Sequence, residues 1–250
     1  MKDLQVYVHA HRPFPFQPSN WLKLVSYERA PDLPGAHKIP DQMPGVRLTW
    51  GNSLLALAQE EAEASGLFGY RRYALFHNQH RCPHHKLHME PSAENLDFLG
   101  SDLQAEAALD ILKSHDFIQY RPYALDMNVR EQFAHFSPPK VWDIMVEEIK
   151  AVGMGESLGY YETNNQHVWS FLVLARKQVI RDLTAFARDF IARMERRDDL
   201  RGYVETGSVS AQGTRHDIHT VYLEYLIPLW VFHHRLRSAY VPLVILEKDI

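Results

Sequence analysis

Short β-rich runs alternate with helical patterns through the first half of the chain, and helical patterns dominate its end. Few architectures accept that order. It predicts an α/β fold, a sheet flanked by helices with a helical C-terminal subregion. Leu4-Gln-Val-Tyr-Val8 reads as a first strand that runs into His9-Ala-His11-Arg12-Pro13, and residues 21–27 read as a second. Pro13, Pro15 and Pro18 make the intervening stretch a loop, since each removes a donor and restricts its predecessor. Pro31, Pro34, Pro40 and Pro44 predict a second long loop over residues 30–45, of a kind that is often functional.

Residues 52–64 predict a helix. Asn52 or Ser53 would cap it, Leu54, Leu55, Leu57 and Ala58 would line its apolar face, and Gly66 would end it. Further helices are expected over residues 95–113, 129–136 and 138–152, with a short strand over 117–120. Residues 168–174 are nearly continuous in apolar character, as in a strand covered on both faces. Residues 178–197 form a clear amphipathic pattern with Val179, Leu183, Phe186, Phe190 and Met194 on one side. A loop or hairpin over 198–212 leads to a helix over 217–233, bent or broken at Pro228, and then to a late strand over 240–246.

At 250 residues the chain fits a single domain, 1–250. A net charge of −4 gives no global attraction to nucleic acid or to an anionic membrane. Cys82 is the only cysteine, so no intramolecular disulfide forms, which fits a reducing compartment. No apolar segment follows the first charges as in a signal peptide, and the longest apolar run, residues 223–232, contains Glu224 and Pro228. These features predict a soluble, cytoplasmic protein.

Three places invite chemistry. Leu67-Phe68 leads through Gly69 into Tyr70-Arg71-Arg72-Tyr73, and two adjacent arginines at the carboxyl edge of a strand can hold phosphates bidentately. The plain alternative is an arginine pair split between the two faces of a strand. His77, His80, Cys82, His84, His85 and His88 offer zinc ligands, but HExxH and paired Cys-x-x-Cys spacings are absent and Pro83 interrupts the cluster. A solvated loop is the simpler explanation. Glu224 stands in an otherwise apolar helical run, where a carboxylate must be paired or face a cavity. No nucleophile elbow, P-loop or dinucleotide fingerprint is present.

The ordered series of boxes resembles a bacterial domain-of-unknown-function family from capsule, exopolysaccharide and O-antigen clusters, regarded as glycosyltransferases. Val8-His-Ala-His11-Arg12-Pro13-Phe14 is similar to its His-Lys-Pro box. Asp41 and the helix at Asn52 precede Gly66-Leu67-Phe68-Gly69-Tyr70-Arg71-Arg72-Tyr73, which resembles the family's Gly-Leu-Cys-His-Tyr-Arg-Arg-Tyr box. Ser114-His115-Asp116-Phe117-Ile118, Val129-Arg130-Glu131-Gln132-Phe133, Trp169-Ser170-Phe171-Leu172-Val173 and Glu224-Tyr225-Leu226 resemble its later boxes in the same order. The chain departs from the pattern at Gly69, where the family has histidine, at Asn52, and at Trp169-Ser170.

The resemblance implies a GT-A-like mixed sheet, a nucleotide-sugar donor, and transfer to a polysaccharide or lipid-linked acceptor in bacterial surface-polysaccharide biosynthesis. It implies a nucleotide-binding half over residues 1–125 and an acceptor half over 126–250, with peripheral contact at the inner face of the membrane. His11, Arg12, Asp41, Tyr70, Arg71 and Arg72 would bind the donor, and Glu224 or Asp116 would be the acceptor base. Enzymes of this kind often hold Mg²⁺ or Mn²⁺ on an Asp-x-Asp motif. This chain has none, so either Asp41 or Asp116 holds a metal with other partners or, the favoured alternative, arginines replace it. The alternatives are a degenerate binding or scaffold module of the same fold, and a metal-dependent hydrolase using the His77–His88 loop.

Overall fold

The computed structural model describes residues 3–28, 30–44, 46, 50–168, 172–206, 208–209, 215–216 and 218–247. The chain opens with strands β1 (Leu4–His9), β2 (Leu22–Tyr27) and β3 (His37–Ile39), then helix α1 (Trp50–Ala56). Strands β4 (Ala64–Gly69), β5 (Arg72–Ala74) and β6 (Lys86–Met89) lead to α2 (Ala93–Gly100) and α3 (Asp102–Ser114). Next come β7 (Phe117–Tyr120), β8 (Tyr123–Ala124), α4 (Val129–Phe136), α5 (Pro139–Ala151), α6 (Gly159–Thr163) and β9 (Gln166–His167). The last part holds β10 (Val173–Arg176), α7 (Lys177–Glu195), α8 (Arg201–Thr206), β11 (Ser208–Val209), β12 (Arg215–His216), α9 (Ile218–His233), β13 (Ser238–Val241) and β14 (Leu243–Leu246).

One mixed sheet carries the fold, in the order β13-β7-β10-β4-β1-β2-β3. Strands β4, β1, β2 and β3 run parallel, β10 is antiparallel to both β4 and β7, and β13 is parallel to β7. The order reverses at β1, with β2 and β3 on one side and β4 on the other. That is the topological switch point at which α/β sheets bind ligands, outside the carboxyl ends of the strands. A side arm extends from β4 through the hairpin to β5, then β14 and β6.

Both faces of the sheet are covered, and residue alternation shows it. Tyr7 packs with the helices α1, α5, α7 and α9, whereas Val6 and Val8 pack on the opposite face with Leu96, Leu99 and Leu112 from α2 and α3. Leu67 and Phe68 divide in the same way. Phe68 meets Tyr73, Phe76 and Trp21 at ring separations of 5.6, 6.2 and 6.3 Å, an aromatic cluster beneath the β4–β5 hairpin. Truncating Phe68 to alanine would cost about 3–5 kcal/mol.

Several sequence expectations change. The helix expected over 52–64 ends at Ala56, followed by a short 3-10 turn over Leu57–Gln59, because Ala64–Gly69 is taken into the sheet between β1 and β10. Gly66 is therefore a mid-strand residue. The loop over 30–45 contains β3, and 95–113 is two helices, the first capped by Ser92, whose side chain accepts from the Asn95 N–H. The helix α9 continues through Pro228, although that proline has no N–H for the carbonyl of Glu224. The late strand is two, β13 and β14, divided at Pro242, and both return to the main sheet after the C-terminal helices. Of the strand expected over 168–174, residues 169–171 lie outside the described residues, and β10 begins at Val173.

Candidate functional site: a basic pocket at the switch point

At the carboxyl ends of β1 and β4 lies a pocket of ≈ 260 Å³, lined from one side by His9, His11 and Arg12 and from the other by Gly69, Tyr70, Arg71 and Arg72. Trp50, the first residue of α1, forms a further wall. Strand pairing brings the two sequence stretches together, for His9 lies directly opposite Gly69. The Tyr-Arg-Arg-Tyr box is a tight hairpin: Gly69 pairs with Arg72, leaving Tyr70 and Arg71 as the turn. Arg71 and Arg72 are thus not split across a strand. Arg71 is at the hairpin tip and Arg72 opens β5.

The hairpin is held firmly. The Leu246 N–H donates to the Arg71 carbonyl at 2.9 Å, and the Tyr120 hydroxyl donates to the Arg72 carbonyl at 3.0 Å. The Tyr70 ring receives the edges of His11 and Phe14 at 4.9 and 5.6 Å, and the Arg71 guanidinium sits over it at 5.2 Å. Arg12 and Arg71 both act on His11, whose pKa is lowered first by burial and then by these two charges. The described residues lining the pocket include three arginines and no carboxylate. Such a cavity suits an anion with several oxygens, because planar guanidinium forks match phosphate geometry. Among the described lining residues it offers a divalent cation no carboxylate, so that donor set does not fit Mg²⁺ or Mn²⁺.

Sequence reasoning missed His9, Trp50 and Ser53. His9 is 5% exposed, its Nδ1 is 2.8 Å from the Ser53 Oγ, and burial lowers its pKa to about 4, with His11 adding to the effect. The ring is therefore neutral at pH 7. Its position as the last residue of the first strand was the available signal. Asn52 and Ser53 are not caps. Both are fully buried inside α1, and Asn52 donates to the Asp41 carboxylate at 3.1 Å while accepting from the Gln42 N–H at 2.9 Å. Asp41 is thereby fixed beside α1 at Asn52, two residues after Trp50, and does not line the pocket itself.

Glu224 lies on α9 and is half-buried. Desolvation pushes its carboxyl up to about 7, and the positive charge of Arg72 pulls it back. Arg72 therefore links the pocket to Glu224. Asp116 is elsewhere. It precedes β7, and the register Phe117–Ala175–Ser65 puts it at the amino edge of β4, about 17 Å along the strands from Gly69. There it takes hydrogen bonds from the Arg237 N–H at 2.9 Å and from the Arg237 Nη2 at 3.1 Å, which lower its pKa. That arrangement is a surface ion pair, and the structure does not bring Asp116 to the pocket.

The histidine loop is organised by Arg121, whose guanidinium donates to the carbonyls of Gln79 at 3.1 Å and His84 at 3.0 Å. His85 packs on Tyr123 and His88 pairs with Glu247. Among the described residues, no group of three or more His, Cys, Asp or Glu side chains is placed to hold a metal ion. The hydrolase alternative has no centre there. The resembling pair Trp169-Ser170 lies outside the described residues.

The fold, a mixed, largely parallel sheet with helices on both faces, is similar to that of a glycosyltransferase of known structure. The chain superposes on the apo structure of WbbM, a bifunctional glycosyltransferase, with a TM-score of 0.73 at 10% identity. The match covers 99% of this chain and 46% of WbbM, so the chain spans less than half of that protein. No protein-family model matches the sequence, and no curated protein matches it. Among the described residues, no helix is long and apolar enough to cross a membrane.

Proposed function

We propose that the chain is a glycosyltransferase that binds the diphosphate of a nucleotide-sugar donor in the arginine-lined pocket. The observation that carries this reading is the convergence of Arg12, Arg71 and Arg72 in a pocket without carboxylates, at the switch point of a glycosyltransferase fold. Trp50 and Tyr70 supply flat apolar walls beside the charges, as a nucleoside or sugar ring needs. His9, neutral and oriented by Ser53, supplies a polar group that does not compete for the anion.

In this reading the acceptor hydroxyl gives its proton to the Glu224 carboxylate as its oxygen bonds to the anomeric carbon. The bond from that carbon to the diphosphate breaks, and the departing charge is taken up by Arg71, Arg72 and Arg12 in place of a metal. A carboxyl at about 7 is half ionised near neutral pH, the condition that suits a general base. The base role goes to Glu224 and not to Asp116, which is engaged by Arg237 at the other edge of the sheet. Residues 1–125 contribute the donor pocket and residues 126–250 contribute Glu224. The resemblance to surface-polysaccharide enzymes supports a polysaccharide or lipid-linked glycan as acceptor, and a site of action at the cytoplasmic side of the membrane.

Isothermal titration with a panel of nucleoside diphosphates and nucleotide sugars, followed by assay of donor hydrolysis, tests the reading. Binding together with turnover is expected, in metal-free buffer as well as with Mg²⁺. Binding without any turnover would point instead to a binding module of this fold. Absence of binding across the panel would remove the donor pocket.

A further inference from the structure

A second concavity lies on the α9 and β13 side of the molecule. Two adjoining cavities, ≈ 520 and ≈ 340 Å³, share Tyr160, Val168, Phe232 and Tyr240 and so form one open groove. We propose that this groove seats the acceptor as a neutral oligosaccharide running toward Glu224. The proposal rests on the sugar-transfer reading for its direction, and on the groove's own chemistry for its ligand.

The aromatic groups come first. Phe232 is 52% exposed and Tyr240 45% exposed, an unusual display for such large apolar surfaces. The Tyr160 ring lies 5.0 Å from that of Phe232, and Tyr240 and Asn164 line the same cavity. A pyranose has an apolar C–H face and a rim of hydroxyls. Aromatic rings beside amides and hydroxyls fit both parts, as orienting polar groups do in an otherwise apolar site.

Charge then separates this ligand from the donor. The larger cavity contains Glu156 and no lysine or arginine, and the smaller contains one arginine, Arg235, whereas the donor pocket gathers three arginines. Three converging guanidinium groups suit a phosphate, and a groove with one charge of each sign suits a neutral ligand. A buried amide lies beneath the groove. Gln119 is 2% exposed, its Nε2 donates to the Ser238 Oγ at 3.1 Å, and its Oε1 takes no hydrogen bond from any described residue.

Two elements lead from the groove to Glu224 and Arg72. Pro228 lines the groove, and Glu224 is one turn earlier on the same helix, about 6 Å along its axis. Pro122 lines the groove as well, and its neighbour Tyr123 lies within the influence of the Arg72 charge. A chain of sugar units in the groove would therefore reach the proposed base with its end.

Saturation-transfer NMR on the full chain with neutral hexose di-, tri- and tetrasaccharides tests this, using Phe232→Ala and Tyr240→Ala beside the unaltered chain. Both side chains are exposed, so both variants are expected to fold. Loss of one ring is expected to weaken oligosaccharide affinity about tenfold, while nucleoside diphosphate affinity changes less than about twofold. Arg71→Ala is expected to show the converse. Failure of every oligosaccharide to bind, or binding that both ring variants retain, overturns the proposal. A change only in oligomeric state would overturn it too, since the patch would then be a protein contact. Oligosaccharide binding that needs Tyr240, in a chain that binds no nucleoside diphosphate, would keep the groove and remove the donor reading.

Discussion

The Nδ1 of His9 lies 2.8 Å from the Oγ of Ser53, tying the last residue of β1 to α1 at the rim of the basic pocket. Burial holds the pKa of His9 at about 4, and that of His167 at about 4 as well. Both imidazoles titrate near 6.5 when unfolded, so between pH 6.5 and pH 4 the unfolded chain binds more protons than the folded one. Stability must fall as pH drops through that window, by at most about 3 kcal/mol for each group. Urea titrations at pH 7, 5.5 and 4.5 are expected to show that decline. His9→Asn is expected to flatten it, at a loss of about 1–2 kcal/mol at pH 7 from the missing bond to Ser53. An unchanged slope in the variant would contradict this account of His9.

Glu224 has the opposite sign. Its folded carboxyl is raised to about 7, so the charged form is disfavoured, and its contribution to stability falls as pH rises from the unfolded value near 4.5 toward 7. Glu224→Gln should gain stability relative to the unaltered chain at pH 8, by at most about 3 kcal/mol, with no gain at pH 4. If Glu224 is the base, transfer rises through pH 7 and the glutamine variant loses about 10²–10⁴ in rate together with that pH limb. A variant that keeps both the rate and the limb excludes the role.

Gly66 sits where a side chain has no room. A Cβ built there would lie 2.5 Å from the Val173 carbonyl oxygen and 2.9 Å from Leu174 Cδ1 on the neighbouring β10. The obstacle at the closer distance is backbone, which cannot swing aside. Gly66→Ala is expected to cost about 1–3 kcal/mol, read as a lower urea midpoint at unchanged slope. A neutral substitution would mean that β4 and β10 are not so closely paired.

Arg121 gathers the carbonyls of Gln79 and His84 with one guanidinium. Arg121→Ala is expected to speed amide exchange over residues 79–85 and to cost about 1–3 kcal/mol. If the loop keeps its protection, something other than Arg121 orders it.

Much of this organisation was legible in the chain. The first strand, its histidine-rich exit and the Leu67-Phe68 run into Tyr70-Arg71-Arg72-Tyr73 were readable because alternation and buried apolar runs are local signals. That β1 and β4 are neighbours, and so join His11 to Arg71, was not local. It emerged from pairing across about 60 residues. Asn52 and Ser53 looked like caps because short polar residues favour helix ends, yet tertiary contacts with Asp41, Gln42 and His9 hold them inside α1. Asp116 looked like a site residue from the resemblance of residues 114–118 to a family box. Only the antiparallel turn of β10 between β4 and β7 reveals that its end of β7 is the far edge.

The most direct test of the donor pocket is calorimetric titration of the full chain with nucleoside diphosphates, for the unaltered protein and for Arg71→Ala and Arg72→Ala. The pocket predicts a measurable affinity for at least one nucleoside diphosphate without added metal, weakened about 10–100-fold by either substitution, since each removes a charge-assisted contact. No affinity for any of them, or an affinity that both arginine variants retain, would contradict a diphosphate site at the β4–β5 hairpin.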